Sequence, residues 1–352
     1  MKTTVIALAY KRKKFLASAL DSVLENSKLP EQIILVKCFT DLDFDSNLAS
    51  HGIEVYTLSD NTKYGDMLIY AIKKSSGDII MLLEDDDMFL PKKIEYITMM
   101  YESNEDLIAT KDLPFIYKGV GKLSDFESTL GSNAINSKLN FKDYKLPIES
   151  IDELAQLNGF GFSANPSTMS FNKKFMSEHL DILECNDPLD VMLGLTFLMA
   201  NSGVIRLISQ GLTIYRIHAD NDSRILYISE KNINRMAATS HKYLDGLIQV
   251  RNIVQKNRFA IFFTDSNILR NKLAHSILKL DRKFQNIKDI LSLYSYLKRI
   301  GAENGKNFFR ILINFLGFIP LLDILIFPFQ VFSPRVGRYI YLMLVVKLRI
   351  MK

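Results

Sequence analysis

The 352-residue chain reads as an α/β protein, with a mixed, mostly parallel sheet covered by helices on both faces and an α-helical C-terminal region after it. Three observations predict this. Strand and helix patterns alternate over the first ninety residues, an apolar run ends abruptly in four carboxylates, and beyond about residue 225 apolar residues recur at helical spacing. The first element is a β-prone strand over residues 3–9. Phe15, Leu16, Ala19, Leu20, Val23 and Leu24 then form one face of a helix over 13–26, which Pro30 stops. Residues 32–36 and 53–58 read as two further strands, 64–74 as a helix, and Gly77-Asp78 turns the chain into a buried strand over 79–83. Strand, helix, strand, strand, helix, strand implies parallel pairing, with ligands bound at the carboxyl ends of the strands.

Domain-sized lengths divide the chain into an α/β domain over 1–224, a helical accessory region over 225–305 and an apolar, basic segment over 306–352. Hydrophobic residues make up 48% and mean hydropathy is +0.06, both high for a soluble enzyme. The net charge of +5 is mild overall. It is concentrated late, where Lys306, Arg310, Arg335, Arg338, Lys347, Arg349 and Lys352 face only Asp323. A basic, apolar segment favours an anionic membrane surface over nucleic acid, and no aromatic-interleaved basic module is present. Residues 308–332 are long enough to reach across a bilayer core, but Arg310, Asn314, Pro320, Asp323 and Pro328 interrupt them. A monotopic or re-entrant helix pair fits better than a single span, and a buried helical subdomain or an oligomer interface is the alternative. Cys38 and Cys185 are too few and too far apart for a disulfide framework or a thiolate metal site, as expected of a reducing compartment. The opening strand runs straight into Lys11-Arg12-Lys13-Lys14, so no secretory signal is read.

Glu84-Asp85-Asp86-Asp87, directly after Ile79-Ile80-Met81-Leu82-Leu83, is the costliest feature to explain structurally. Like charges at one strand end repel and hold protons unless a cation neutralises them, and oxygen-rich sites suit divalent ions. A solvated acidic turn before a helix begun by Pro91 is the alternative.

Together with two other segments, this strand end resembles the family 2 nucleotide-sugar glycosyltransferases, which share the GT-A fold. Ala7-Leu8-Ala9-Tyr10-Lys11-Arg12 with Ala19-Leu20-Asp21-Ser22-Val23-Leu24 is similar to the family's opening, Gly77 through Asp87 to its metal-binding strand end, and Tyr215-Arg216-Ile217-His218 to the segment that closes the donor site. The blocks occur in the family's order and span residues 3–224. The resemblance implies an inverting hexosyltransferase that needs Mn²⁺ or Mg²⁺, takes a nucleotide-sugar donor and glycosylates a glycan or lipid-linked acceptor. It places the work of glycan biosynthesis at the cytoplasmic face of a membrane. Tyr10 would stack on the nucleobase, Lys63 would face the diphosphate, Asp85 would hold the ribose or the ion's water, and Arg216 would contact phosphate as a charged fork. Asp86 and His218 would ligate the ion, with Glu84 and Asp87 flanking them. Asp187, with Asp190 one turn further on, would be the general base.

The residues also allow plainer readings. Tyr10 can pack at a strand end, Lys63 can be a solvated charge, and His218 can be a hydrogen-bonded core histidine. Asp187 and Pro188 suit the N-cap and first position of a helix running to about Asn201. The glycines of Gly159-Phe160-Gly161, before an acceptor-side strand, can simply make a turn. One segment departs from the family pattern: Lys37-Cys38-Phe39 stands where an acidic pair reads the nucleobase, which leaves GDP-linked and lipid-phosphate-linked donors open beside UDP-sugars. A metal-dependent nucleotidyltransferase would also use such carboxylates, although no glycine-rich phosphate loop follows the first strand. An inactive GT-A binding or scaffold module is a third reading.

Overall fold

The structure, a computed structural model, describes residues 1–119, 121, 123–127, 139–218 and 230–279, with isolated positions beyond. The membrane-associating segment expected over 306–352 and the polar loop after His218 therefore lie outside the described residues, apart from Ile311. Among the described residues no helix is long and apolar enough to cross a membrane. The chain forms two compact units, Met1–Pro147 with Phe162–His218, and Ile148–Gly161 with Ala219–Lys352.

The first unit is built on one sheet in the order β3-β2-β1-β4-β8-β6-β9-β5, with β7 beside β9. β1 (Thr3–Ala9), β2 (Gln32–Lys37), β3 (Ile53–Thr57) and β4 (Ile79–Glu84) are parallel neighbours. β1 is buried at all seven positions, as expected for a parallel strand covered on both faces. The helix α1 (Leu16–Leu24) closes one face with Leu16, Ala19, Leu20 and Val23. Burying a Leu or Val side chain of this kind stabilises by about 1.5–3 kcal/mol. Between β2 and β3 the chain makes a helix, α2 (Leu42–Ser50), that apolar periodicity does not reveal, because only Leu48 of it is buried. Its signal is the N-cap, where Asp41 Oδ1 accepts the Phe44 N–H at 3.1 Å. The helix α3 (Tyr64–Lys74) then leads into β4.

After the carboxylates, β5 (Met88–Phe89) and α4 (Lys93–Glu102) are followed by β6 (Leu107–Tyr117), β7 (Phe141–Lys145), β8 (Met169–Asn172) and β9 (Val204–Arg216). β8 runs antiparallel to both β4 and β6, which makes the sheet mixed. β5 pairs antiparallel with β9, Met88 opposite Ile214, and this register carries the end of β9 to the carboxylates.

In the second unit the helices Glu230–Ile253 and Arg258–Lys279 bury Leu247, Val250, Phe259, Phe262, Phe263, Leu269 and Leu273. Arg251 pairs with Asp265 at 2.6 Å, and His275 Nδ1 lies 3.0 Å from the carbonyl of Ala237. The helix Ile151–Phe160 belongs to this unit and ends at Gly161, whose φ of 81° is the left-handed conformation glycine adopts without strain.

Candidate functional site

Parallel pairing places Ala9, Lys37 and Glu84 at one end of the sheet. Tyr10 follows β1 with 38% of its surface exposed, and its hydroxyl reaches the Asp60 carbonyl at 3.5 Å. Lys11 has φ 96°, a left-handed conformation uncommon outside glycine. The next residue, Arg12, meets the carboxylates. Its Nη2 lies 2.6 Å from Asp85 Oδ1, its Nε 3.3 Å from Asp85 Oδ2 and its Nη1 2.9 Å from Asp86 Oδ2.

His218 Nε2 lies 2.9 Å from the same Asp86 Oδ2, and its ring packs 4.8 Å from that of Phe15. Asp85, Asp86 and Asp87 are closed off from water while Glu84 is half-buried, and the protonation of Asp85 and Asp87 reflects this. Burial pushes Asp85 up to about 7, against the pull of Arg12, and pushes Asp87 up to about 8 with Asp86 adding to the shift. Glu84 is likewise driven well above the ordinary range by burial and then by Asp87, Asp86 and Asp85. Burial raises Tyr64, at the start of α3, with Glu84, Asp85 and Asp86 adding to the effect.

Arg216, expected at the donor phosphates, is bound into the fold of the protein itself. It is buried, and its five N–H groups are engaged by protein atoms. Nε donates to the Asp86 carbonyl at 3.0 Å, Nη1 to the carbonyls of Gly119 and Gly121 at 3.0 and 2.9 Å, and Nη2 to Ser18 Oγ at 3.2 Å and Met88 Sδ at 3.3 Å. The guanidinium also lies over the rings of Phe15 and Tyr117. Its backbone N–H donates to Asp87 Oδ1 at 3.1 Å, so Arg216 braces the acidic strand end.

Beneath the carboxylates lies a polar network that sequence reasoning missed. Lys93 Nζ, fully buried, donates to Asp112 Oδ2 at 2.8 Å, to the Ser167 carbonyl at 2.7 Å and to Thr213 Oγ1 at 2.5 Å. Ser167 Oγ in turn accepts the Glu84 N–H at 2.9 Å. Beside it Lys111 bonds Thr168 and the carbonyls of Ala164 and Asn165. Burial lowers Lys111 to about 7, with Asp112, Asp190 and Glu84 acting in the opposite direction. Asn165 sits at φ 53° with a buried carboxamide that has no hydrogen-bond partner.

The helix that carries the expected base begins one residue later than predicted. It spans Leu189–Leu198, with Pro188 at the N-cap and no side-chain cap, so Asp187 does not cap it. Asp190 lies in its first turn and accepts the Val191 N–H at 2.9 Å. The preceding Asn186 ties this segment to α3, its Oδ1 accepting the Asp66 N–H at 3.1 Å. Lys63 is exposed at the N-cap of α3. In the segment that departs from the family pattern, the buried Lys37 ammonium bonds the Phe39 carbonyl and pairs with Asp45 at 3.1 Å, so its charge is answered within the fold.

The residues present fit part of a divalent-ion shell. Asp86 Oδ2 and His218 Nε2 are 2.9 Å apart, in hydrogen-bond contact, which brings one carboxylate oxygen and one imidazole nitrogen together at the strand end. A carboxylate oxygen suits Mn²⁺ or Mg²⁺, and an imidazole nitrogen beside it favours a transition ion such as Mn²⁺ over Mg²⁺. Asp87 accepts the Arg216 N–H through Oδ1 and lies beside Ser167, and its buried Oδ2 has no close hydrogen-bond partner among the described residues. Among the described residues no group of three or more His, Cys, Asp or Glu side chains is arranged to hold an ion, so a ligand or water would complete the shell.

Residues 4–148 match the family model described as Glycosyl transferase family 2. A curated relative, the uncharacterized glycosyltransferase YwdF of Bacillus subtilis (strain 168), is 29% identical over 105 residues. That match covers 29% of this chain and 39% of YwdF, so it spans well under half of the relative's length. Among solved structures, S. aureus TarS 1–349 in complex with UDP-GlcNAc aligns with a TM-score of 0.50 at 11% identity, covering 90% of each chain. The same protein in complex with UDP aligns at 0.52 and 12% identity, covering 90% of this chain and 89% of that one. At these identities the likeness establishes a shared fold.

Proposed function

We propose that the chain, whose residues 4–148 match the glycosyl transferase family 2 model, is an inverting transferase that moves a sugar from a nucleotide-sugar donor to an acceptor hydroxyl. The observation that carries this reading is the contact of His218 Nε2 with Asp86 Oδ2, 2.9 Å apart, at the carboxyl end of the parallel strands. Asp86 and His218 would hold the divalent ion, with Glu84 and Asp87 shaping the charge around it. A bound cation would neutralise the negative charge that develops on the departing diphosphate.

The chain's own residues supply the rest. Tyr10 offers an exposed ring to a nucleobase. In this reading Asp85 serves the ribose, and Lys63, exposed at the N-cap of α3, is the charge for the diphosphate. Asp187 takes the proton from the acceptor hydroxyl as that oxygen attacks the anomeric carbon, and Asp190 is the alternative base. Attack from the face opposite the leaving diphosphate inverts the anomeric centre. The acceptor in this reading is a glycan or a lipid-linked hydroxyl at a membrane, supported by the apolar and basic composition of residues 306–352. The relatives' UDP and UDP-GlcNAc complexes favour uridine nucleotides as the first donors to try.

The test is nucleoside diphosphate release from a panel of UDP- and GDP-sugars, with Mn²⁺, Mg²⁺ or chelator. Release that depends on the ion and is abolished in Asp86→Ala supports the transferase. Pyrophosphate release from a nucleoside triphosphate, or nucleotide binding with no turnover of any donor, overturns it.

A further inference from the structure

Asp86 Oδ2 is claimed twice. His218 approaches it at 2.9 Å and so does Nη1 of Arg12, whose other nitrogens grip both oxygens of Asp85. The two aspartate side chains are buried, whereas Arg12 is 38% exposed. An arginine fork spanning two buried carboxylates is a strong, charge-assisted arrangement. The left-handed Lys11 turns the chain so that Arg12 arrives there, and backbone strain of this kind persists only where surrounding contacts enforce it.

We infer that Arg12 is a resident counter-ion: it holds Asp85 and Asp86 closed to a divalent cation until a nucleoside diphosphate draws the guanidinium onto its phosphate oxygens. This rests on the transferase reading and adds an order to it. A cation sharing Asp86 Oδ2 with His218 competes directly with Nη1. Displacing the fork without compensation leaves a cation in water and two carboxylates to be neutralised by the ion alone. A diphosphate removes that penalty, because its oxygens accept the same bidentate fork. The arginine is the more exposed partner, 38% against 3% and 6% for the aspartates, so it is the group that can swing away. The nucleotide and the ion therefore bind cooperatively, each raising the affinity for the other by the same factor.

The test measures Mn²⁺ binding by the full chain, by calorimetry and by the electron paramagnetic resonance signal of free Mn²⁺, first with no nucleotide and then with UDP or GDP. Wild type should bind Mn²⁺ alone weakly. Arg12→Gln should bind it about tenfold more tightly or better, the order expected from removing charged hydrogen bonds. The gain in Mn²⁺ affinity on adding nucleotide should shrink by a similar factor in the variant. Arg12→Lys, which keeps the charge but not the fork, should fall between and covers the case of a poorly folded glutamine variant. Unchanged Mn²⁺ affinity in both folded variants would overturn the role of Arg12 and leave the transferase standing. Tighter Mn²⁺ binding in a protein that turns over no nucleotide sugar would keep Arg12 as counter-ion and remove the transferase.

Discussion

Replacing Arg216 with alanine separates a brace from a ligand contact. In the fold this guanidinium satisfies the carbonyls of Asp86, Gly119 and Gly121, with Ser18 and Met88 taking its remaining hydrogens. Arg216→Ala leaves three carbonyl oxygens without their donors. A buried unsatisfied acceptor costs about 1–3 kcal/mol, and the two glycine carbonyls are only partly buried. The expected loss is therefore about 3–5 kcal/mol, in the range found when one partner of a buried charged network is removed. At about 2–4 °C per kcal/mol for a chain unit of this size, Tm should fall by about 6–20 °C in a melt followed by far-ultraviolet circular dichroism. Arg216→Lys can restore only part of the fork and should lose less. An alanine variant that melts within about 2 °C of wild type but binds nucleotide far more weakly would show that the guanidinium serves a ligand instead.

Four further outcomes follow from the same geometry. Asp112→Asn or Lys93→Met breaks a buried pair linking α4, β6 and the loop under Glu84, and either should cost about 3–5 kcal/mol by urea unfolding; a loss below about 1 kcal/mol would contradict a buried, mutually dependent pair. Gly65→Ala would press a methyl group to 2.4 Å from the Leu183 carbonyl and 2.9 Å from Asn186 Cα, so it should destabilise by about 1–3 kcal/mol and slow turnover by shifting Asp187; a variant with unchanged Tm and turnover would speak against that packing. Asp87, held up to about 8 by burial, binds its proton more tightly folded than unfolded, so its stabilising protonation is complete below about pH 4 and lost as pH rises to about 8. Melts in chelator should thus show Asp87→Asn gaining on wild type between pH 5 and pH 8 and levelling above, a difference in which the opposite contribution of Lys111 cancels; a flat difference would mean that Asp87 titrates normally. Asp187→Asn should cut turnover by about 10²–10⁴-fold with nucleotide affinity unchanged, and if Asp190→Asn does this instead, the base is Asp190.

The parallel half of the sheet was legible because its strands are uninterrupted apolar runs and α1 carries a clear apolar stripe. The helix α2 was not, since it buries only Leu48, and a lightly buried helix leaves no periodicity to read. The meeting of Asp86 and His218 was expected only through the family resemblance, and the β5–β9 register is what brings the two side chains together. The bracing contacts of Arg216 were not legible, because its carbonyl partners come from Asp86, Gly119 and Gly121, two of them about a hundred residues away in sequence. Arg12 lay hidden in a run of four basic residues, and only the fold shows which of them faces the carboxylates. The Lys93–Asp112–Thr213–Ser167 network joins positions up to 120 residues apart and carries no local signature.

The central claim is that Asp86 and His218 share a divalent ion that receives a nucleoside diphosphate. Calorimetric titration of UDP and GDP into wild type, Asp86→Ala and His218→Ala, with and without Mn²⁺, tests it most directly. The account predicts that Mn²⁺ strengthens nucleotide binding to wild type and that either substitution removes this gain while leaving the metal-free affinity in place. Nucleotide binding to wild type that is indifferent to Mn²⁺, or a gain that survives both substitutions, would contradict it.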